Sequence, residues 1–323
     1  MRRRRVSGAA ALRTALALGA SALVFWLILR FIRVGGGTPP LAAFAPSWAL
    51  CAILLSTLQI AVVALRWSFF CRELGAPLVY RAALGAYYVS IFLNQLLPLG
   101  MLGDAFRGLW HARRLASGVS RGRPALDAAT ALILDRASGQ LILLVLVLPI
   151  LPFWWQPLRA AVRGSAFALD SRVLFGVFLA FAVIASLVWF LGRSGLRYTA
   201  RARQIFFRPG ALLIHGGCSL LALSLHLAAF SCTARALGFS LPFGLAARVV
   251  PLVLVASTLP SFALGTGARE AVAAVLYHLL GLRSAEGAAI ALGLGLLGFV
   301  ASLPGLLVLV LARLRPAPEN AER

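Results

Sequence analysis

Lysine is absent from this chain: all 31 basic residues among 323 are arginine. Acids are scarce as well, nine in total, and charged residues make up 12% of the sequence against 61% hydrophobic ones. A soluble domain carries about a quarter of its residues charged, so this balance and a mean hydropathy of +0.92 exclude one and indicate an integral membrane protein. No Cys-x-x-Cys pair occurs. Cys51, Cys71, Cys218 and Cys232 lie in or beside apolar segments and read as core residues, indicating neither a metal site nor a disulfide framework. His111, His215, His226 and His278 stand apart from one another, without the paired spacing of metal ligands. With no Asp-x-Asp cluster to hold a divalent cation and no P-loop, neither a sugar-nucleotide transferase nor direct use of ATP is indicated, and no metal or cofactor is expected.

What is abundant is arginine, alanine, glycine and proline, the mark of a GC-rich bacterial genome. The net charge of +22 would suit nucleic acid, but the arginines fall in short loops between apolar segments. There they serve membrane orientation and contact with anionic lipid headgroups, and no nucleic-acid partner is expected.

Six segments are long enough to cross a bilayer: about 12–29, 45–65, 126–152, 172–192, 211–234 and 286–312. The first follows MRRRRV and lacks a small-residue cleavage site, so it reads as an uncleaved anchor with its N-terminus in the cytoplasm. Two shorter apolar segments, about 82–98 and 247–264, end in one repeated phrase. It runs Pro98, Gly103, Arg107 in NQLLPLGMLGDAFRG, and Pro260, Gly265, Arg269 in STLPSFALGTGARE. Helix breakers and charge are costly in hydrocarbon, which offers no partner to either. If 82–98 crossed fully, the loop with Arg66, Arg72 and Arg81 and the loop with Arg107, Arg113, Arg114, Arg121 and Arg123 would face opposite sides, against the positive-inside rule. A re-entrant segment keeps both loops cytoplasmic.

Counting onward, the second broken segment enters from the opposite face and the C-terminus returns to the cytoplasm. Leu74-Gly75 and Leu237-Gly238 each stand a little over twenty residues before their proline, which supports a duplication. The expected fold class is therefore an all-α polytopic membrane protein, a single integral membrane domain over 1–323. It has about six full transmembrane helices plus two opposed re-entrant broken helices forming an inverted repeat. The halves lie at about 45–152 and 211–312, with a basic cytoplasmic tail at 1–11 and a short one at 313–323. Inverted repeats with discontinuous helices are a transporter architecture, with the site near the midplane.

Asp135 lies roughly 13 Å into its span at 1.5 Å per residue, with Arg136 beside it. Each charge at such depth costs about 2.5–3.5 kcal/mol, so partners are needed. Consecutive helical residues point about 100° apart and must reach different neighbours. The sequence offers Asp104, Arg107, Arg269 and Glu270, which predicts Asp135 with Arg107 or Arg269, and Arg136 with Glu270 or Asp104. Such pairs read either as staples between helices or as a site. Arg107 and Arg269, with backbone amides near the glycines, suit a phosphate or another anionic headgroup. Asn94, Gln95, Ser257 and Thr258 stand just before the prolines, placed to satisfy freed backbone groups or to contact substrate.

The two Pro-Gly-Arg phrases and the Asp135-Arg136 pair, in this order from about 12 to 312, resemble the membrane region of the lysylphosphatidylglycerol synthase and flippase-like family. Its relatives include dolichol-phosphate-glucose synthetase-like and hopanoid-associated membrane proteins. The resemblance implies a polar core at Asp104, Arg107, Asp135, Arg136, Arg269 and Glu270, with Pro98, Gly100, Gly103, Pro260, Gly265 and Gly267 shaping the backbone. Full-length synthases carry a soluble catalytic domain after the membrane region, and the sequence ends at Arg323 soon after its last apolar segment. What the resemblance then implies is a lipid translocase of the inner membrane, moving an anionic or lipid-linked headgroup between leaflets, and no enzyme. The alternatives are a lipid-modifying membrane enzyme and a non-transporting accessory protein of hopanoid or polyprenyl-linked lipid synthesis. Partners would be the lipid itself, and either a second copy of the chain or lipid-biosynthesis enzymes.

Overall fold

The computed structural model describes residues 44–97, 102–116, 124–163, 196–257 and 267–314. The expected spans at 12–29 and 172–192, the terminal tails, and Pro98, Gly100, Thr258, Pro260 and Gly265 lie outside the described residues.

Among the described residues all regular structure is helical. In order, α1 spans Pro46–Glu73, α2 Tyr80–Leu96, α3 Leu102–Ala116 and α4 Pro124–Val147. A single 3₁₀ turn, Leu148–Ile150, leads into α5, Leu151–Arg163. Then come α6 (Leu196–Phe207), α7 (Pro209–Ala236), α8 (Phe243–Ala256), α9 (Ala268–Leu279), α10 (Ser284–Ser302) and α11 (Pro304–Leu314). Four stretches are long and apolar enough to cross a membrane: Pro46–Glu73, Ala125–Pro157, Pro209–Ala236 and Ser284–Leu311. They coincide with four of the expected spans. At 28 residues, α1 and α7 are each about 42 Å long, more than the hydrocarbon thickness of about 30 Å.

The side chains divide as a membrane protein requires. Leu50, Leu54 and Leu58 form an exposed stripe along one face of α1, while Ala52, Ile60, Ala64, Trp67 and Phe70 are buried on the other. Spacing by four residues keeps each set on one helical face. One core gathers Trp67, Phe70, Tyr87, Leu134 and Phe206 from α1, α2, α4 and α6. A second gathers Phe230, Val249, Val253, Tyr277 and Ile290 from α7 to α10.

The two halves share an order of elements. α1 and α7 each end at a leucine followed by a glycine in the left-handed region, Gly75 at φ 77° and Gly238 at φ 78°. That conformation clashes with a Cβ, so glycine at both places lets the chain turn straight into the next helix. α2 and α8 follow, then a break, then α3 and α9, then α4 and α10. α1 and α7 pack against each other in opposite directions. The Ala45 amide donates to the Ala236 carbonyl at 2.9 Å at one end, and Arg66 Nη1 donates to Ser219 Oγ at 2.8 Å toward the other.

α3 runs back along α2. Tyr87, Ser90 and Asn94 on α2 meet Arg107, Asp104 and Gly103 on α3, in reverse order. The approach is close enough that a Cβ on Gly103 would lie 1.9 Å from the Ser90 carbonyl oxygen. No side chain fits there, which fixes glycine at the start of α3.

Candidate functional site

The hairpin of α2 and α3 presses a short polar helix start into the space between α1 and α4. At that start the Gly103 amide has no partner within its own helix, and Asn94 Oδ1 accepts from it at 2.7 Å. Asp104 stands in the first turn, where a carboxylate is favoured by the helix dipole. One turn on, Arg107 is completely buried.

Arg107 Nη2 bridges two carboxylates, at 3.2 Å from Asp104 Oδ1 and 3.1 Å from Asp135 Oδ2. Asp135, also fully buried, accepts from Arg66 Nε at 2.8 Å on its other oxygen and from the Tyr87 hydroxyl at 2.8 Å. Asp104 in turn receives Arg136 Nη2, with Ser90 and Asn94 at 3.3 Å each. The result is a continuous row of alternating charge: Arg66, Asp135, Arg107, Asp104, Arg136. Among the described residues, three guanidiniums against two carboxylates leave the row one positive charge in excess.

The row is graded in burial. Arg66, Asp135 and Arg107 are sealed from solvent, the Asp104 side chain is 13% exposed, and Arg136 is 52% exposed. Arg136 therefore forms its open end. Arg136 lies twelve residues into α4, about 18 Å along the helix. The buried end is held by aromatics. The Arg107 guanidinium lies 3.9 Å from the Tyr87 ring centroid and 4.5 Å from that of Trp67. Its Nε and Nη1 have no hydrogen-bond partner among the described residues, so ring faces take the place of acceptors there.

Beyond Arg66 a neutral polar chain continues into α7. Arg66 Nη1 donates to Ser219 Oγ, which donates to the His215 carbonyl at 2.7 Å. Ser138 Oγ lies 2.8 Å from both Ser219 Oγ and His215 Nδ1. His215 Nε2 faces the Phe206 carbonyl at 2.9 Å. A carbonyl can only accept, so Nε2 carries the ring hydrogen and Nδ1 accepts from Ser138.

The second half is organised differently. Arg269 Nη2 and Nε reach Glu270 Oε1 at 2.7 and 3.1 Å. Glu270 Oε2 accepts from the Gly267 amide at 2.7 Å, closing the start of α9. Of the pairings the sequence offers, Asp135 takes Arg107 and Arg136 takes Asp104, while Arg269 and Glu270 satisfy each other. Adjacency at a helix start gives that pair a short local solution. Gln95 turns from Asp104 toward α10, its Nε2 3.6 Å from where a Cβ on Gly298 would stand. Ser257 bonds back to the Val253 carbonyl at 3.0 Å, satisfying backbone. Among the described residues no group of three or more His, Cys, Asp or Glu side chains is placed to hold a metal ion.

One correction concerns Arg66. The sequence places it in a loop after a span ending near Leu65, counted among cytoplasmic charges. The helix instead continues to Glu73 and buries Arg66 to 5% exposure, because Asp135 supplies the counter-charge that a loop position would not need. Tyr87, Ser138, His215 and Ser219 were also not singled out for this network; their alignment across three helices leaves no local pattern in the sequence.

A family model described as the lysylphosphatidylglycerol synthase TM region matches residues 12–305. No curated protein and no solved structure matches the chain significantly.

Proposed function

Since the chain belongs to the lysylphosphatidylglycerol synthase transmembrane-region family, and is thereby an integral membrane protein of a family linked to lipid metabolism, we propose that it is a lipid translocase. The observation that carries this reading is the open end of the charge row. A half-exposed Arg136 at membrane depth, bonded to Asp104 in a row that among the described residues holds one more guanidinium than carboxylates, is costly against hydrocarbon. An anionic headgroup, phosphodiester or lipid-linked phosphate, supplies the missing acceptor oxygens and charge.

In this reading the α2–α3 and α8–α9 hairpins are re-entrant and opposed. The antiparallel contact of α1 with α7 is then the seam of an inverted repeat, and the full protein has six crossings. Both termini face the cytoplasm and the membrane is the inner one of a bacterium. The chain acts as a transporter rather than an enzyme, with membrane lipid as its partner. Arg269, at the start of α9, is the second half's counterpart to Arg107 and marks where a headgroup would leave or enter on the other face.

The test is leaflet exchange in liposomes, read by accessibility of labelled headgroups over a panel of anionic, zwitterionic and polyprenyl-linked lipids. Exchange above protein-free vesicles for at least one anionic or lipid-linked headgroup supports the reading. Exchange no faster than in protein-free vesicles across the whole panel sinks it and favours an accessory role.

A further inference from the structure

Cys51 on α1 and Cys232 on α7 bring their sulfurs to 3.4 Å of each other across 181 residues of sequence. Both are free thiols, Cys51 half-buried and Cys232 buried. The sulfurs are in van der Waals contact, roughly 1.4 Å beyond an S–S bond of about 2.05 Å. Of the other two cysteines, Cys71 is turned to His111 Nδ1 at 3.6 Å, and Cys218 is half-buried elsewhere on α7.

The position of the pair gives such a bond a consequence. α1 and α7 are the helices along which the two halves meet. The cysteines lie at one end of that seam, beside the Ala45–Ala236 backbone bond and the Arg235 guanidinium 4.6 Å from the Trp48 ring. The Arg66–Ser219 contact lies toward the opposite end. The interval between Gly75 and Gly238 carries Cys232 back to Phe69 and Cys51 forward to Ile214. The matching place at the charged end thus holds no thiol, and a crosslink would fasten one end of the seam only.

We propose that Cys51 and Cys232 form a reversible disulfide that fastens the two halves at this end and slows lipid translocation. The slowing rests on the translocase reading above; formation of the bond does not. The oxidant is a disulfide, protein or small molecule. The thiolate of Cys51, the more accessible residue, attacks one sulfur of it and expels the other as a thiol. Cys232, losing its proton, then displaces the remaining thiol, so two electrons and two protons end on the oxidant. On the orientation proposed above this end faces away from the cytoplasm, where disulfides persist.

The experiment uses the full-length protein in lipid vesicles, treated with oxidised glutathione. Free thiols are then blocked with N-ethylmaleimide and the digest is read by mass spectrometry. The expected result is a Cys51–Cys232 crosslinked peptide, removed by dithiothreitol and absent from Cys51→Ser and from Cys232→Ser, with Cys71 and Cys218 uncrosslinked. Recovery of Cys51 and Cys232 as blocked thiols after oxidation, or crosslinks shared with Cys71 or Cys218, overturns the site. In the same vesicles the oxidised wild type should exchange lipid several-fold more slowly than the reduced, and Cys51→Ser should ignore the oxidant. A bond that forms without slowing exchange overturns the lock. Absence of exchange in both redox states, with the crosslinked peptide present, counts against the translocase reading and not against the disulfide.

Discussion

Arg66 Nε donates to Asp135 Oδ1 at 2.8 Å, joining α1 to α4 across 69 residues of sequence. The same guanidinium reaches Ser219 on α7 through Nη1, so one side chain ties three membrane helices together. Its fork geometry is what allows both contacts at once.

Replacing Arg66 by leucine is expected to cost about 3–5 kcal/mol, because it removes one counter-ion of a fully buried carboxylate. Arg66→Lys keeps the charge but has one nitrogen for two acceptors, and should recover part of the loss. Thermal unfolding of the detergent-purified protein, followed by fluorescence-detected size exclusion, orders the variants wild type, Lys, Leu. Equal melting for wild type and Arg66→Leu would mean that the buried bridge is not formed.

Tyr87→Phe deletes a single oxygen, the donor to Asp135 Oδ2 at 2.8 Å, and leaves the ring under the Arg107 guanidinium. A hydrogen bond to a charged group contributes about 1.5–3 kcal/mol, so destabilisation in that range is expected. Combining it with Asp135→Asn in a double-mutant cycle should show coupling, since the two residues share the bond. Strict additivity would place the hydroxyl elsewhere.

Two glycines on α3 make an internal comparison. A Cβ at position 103 would fall 1.9 Å from the Ser90 carbonyl oxygen, whereas one at position 108 meets the Leu132 side chain at 3.4 Å. Gly103→Ala should force α2 and α3 apart, cost at least about 1–3 kcal/mol as overpacking does, and loosen Asp104 from Ser90 and Asn94. Gly108→Ala should be neutral or slightly stabilising, as alanine is the better helix former by about 1 kcal/mol. Melting temperatures of the two variants decide the matter, and a tolerated Gly103→Ala would contradict the close contact.

Sequence and structure agree best where charge is expensive. Asp135 and Arg136 announce themselves as charges within an apolar span, and their neighbours on α3, Asp104 and Arg107, stand next to a helix break. The 100° step between Asp135 and Arg136 already required separate partners, and it obtained them on opposite sides of the Arg107 bridge. Arg66 was legible only as one more arginine near the end of an apolar segment. Nothing local distinguishes an arginine that faces a loop from one that faces a carboxylate 69 residues away. The polar chain through Ser138, Ser219 and His215 was hidden for the same reason, since serines and histidines at these positions bond to backbone as readily as to each other. The matching Leu-Gly turns at Gly75 and Gly238 were legible, because positive φ restricts the choice of residue.

The excess positive charge at the open end of the row is proposed to receive an anionic headgroup. Arg136→Gln removes that charge and keeps a side-chain amide that can still donate to Asp104. Leaflet exchange of an anionic lipid in liposomes, wild type beside Arg136→Gln at matched melting temperature, is the most direct measurement. A loss of about tenfold or more is expected, the equivalent of one charge-assisted hydrogen bond. Unchanged exchange of the anionic lipid by Arg136→Gln would contradict it.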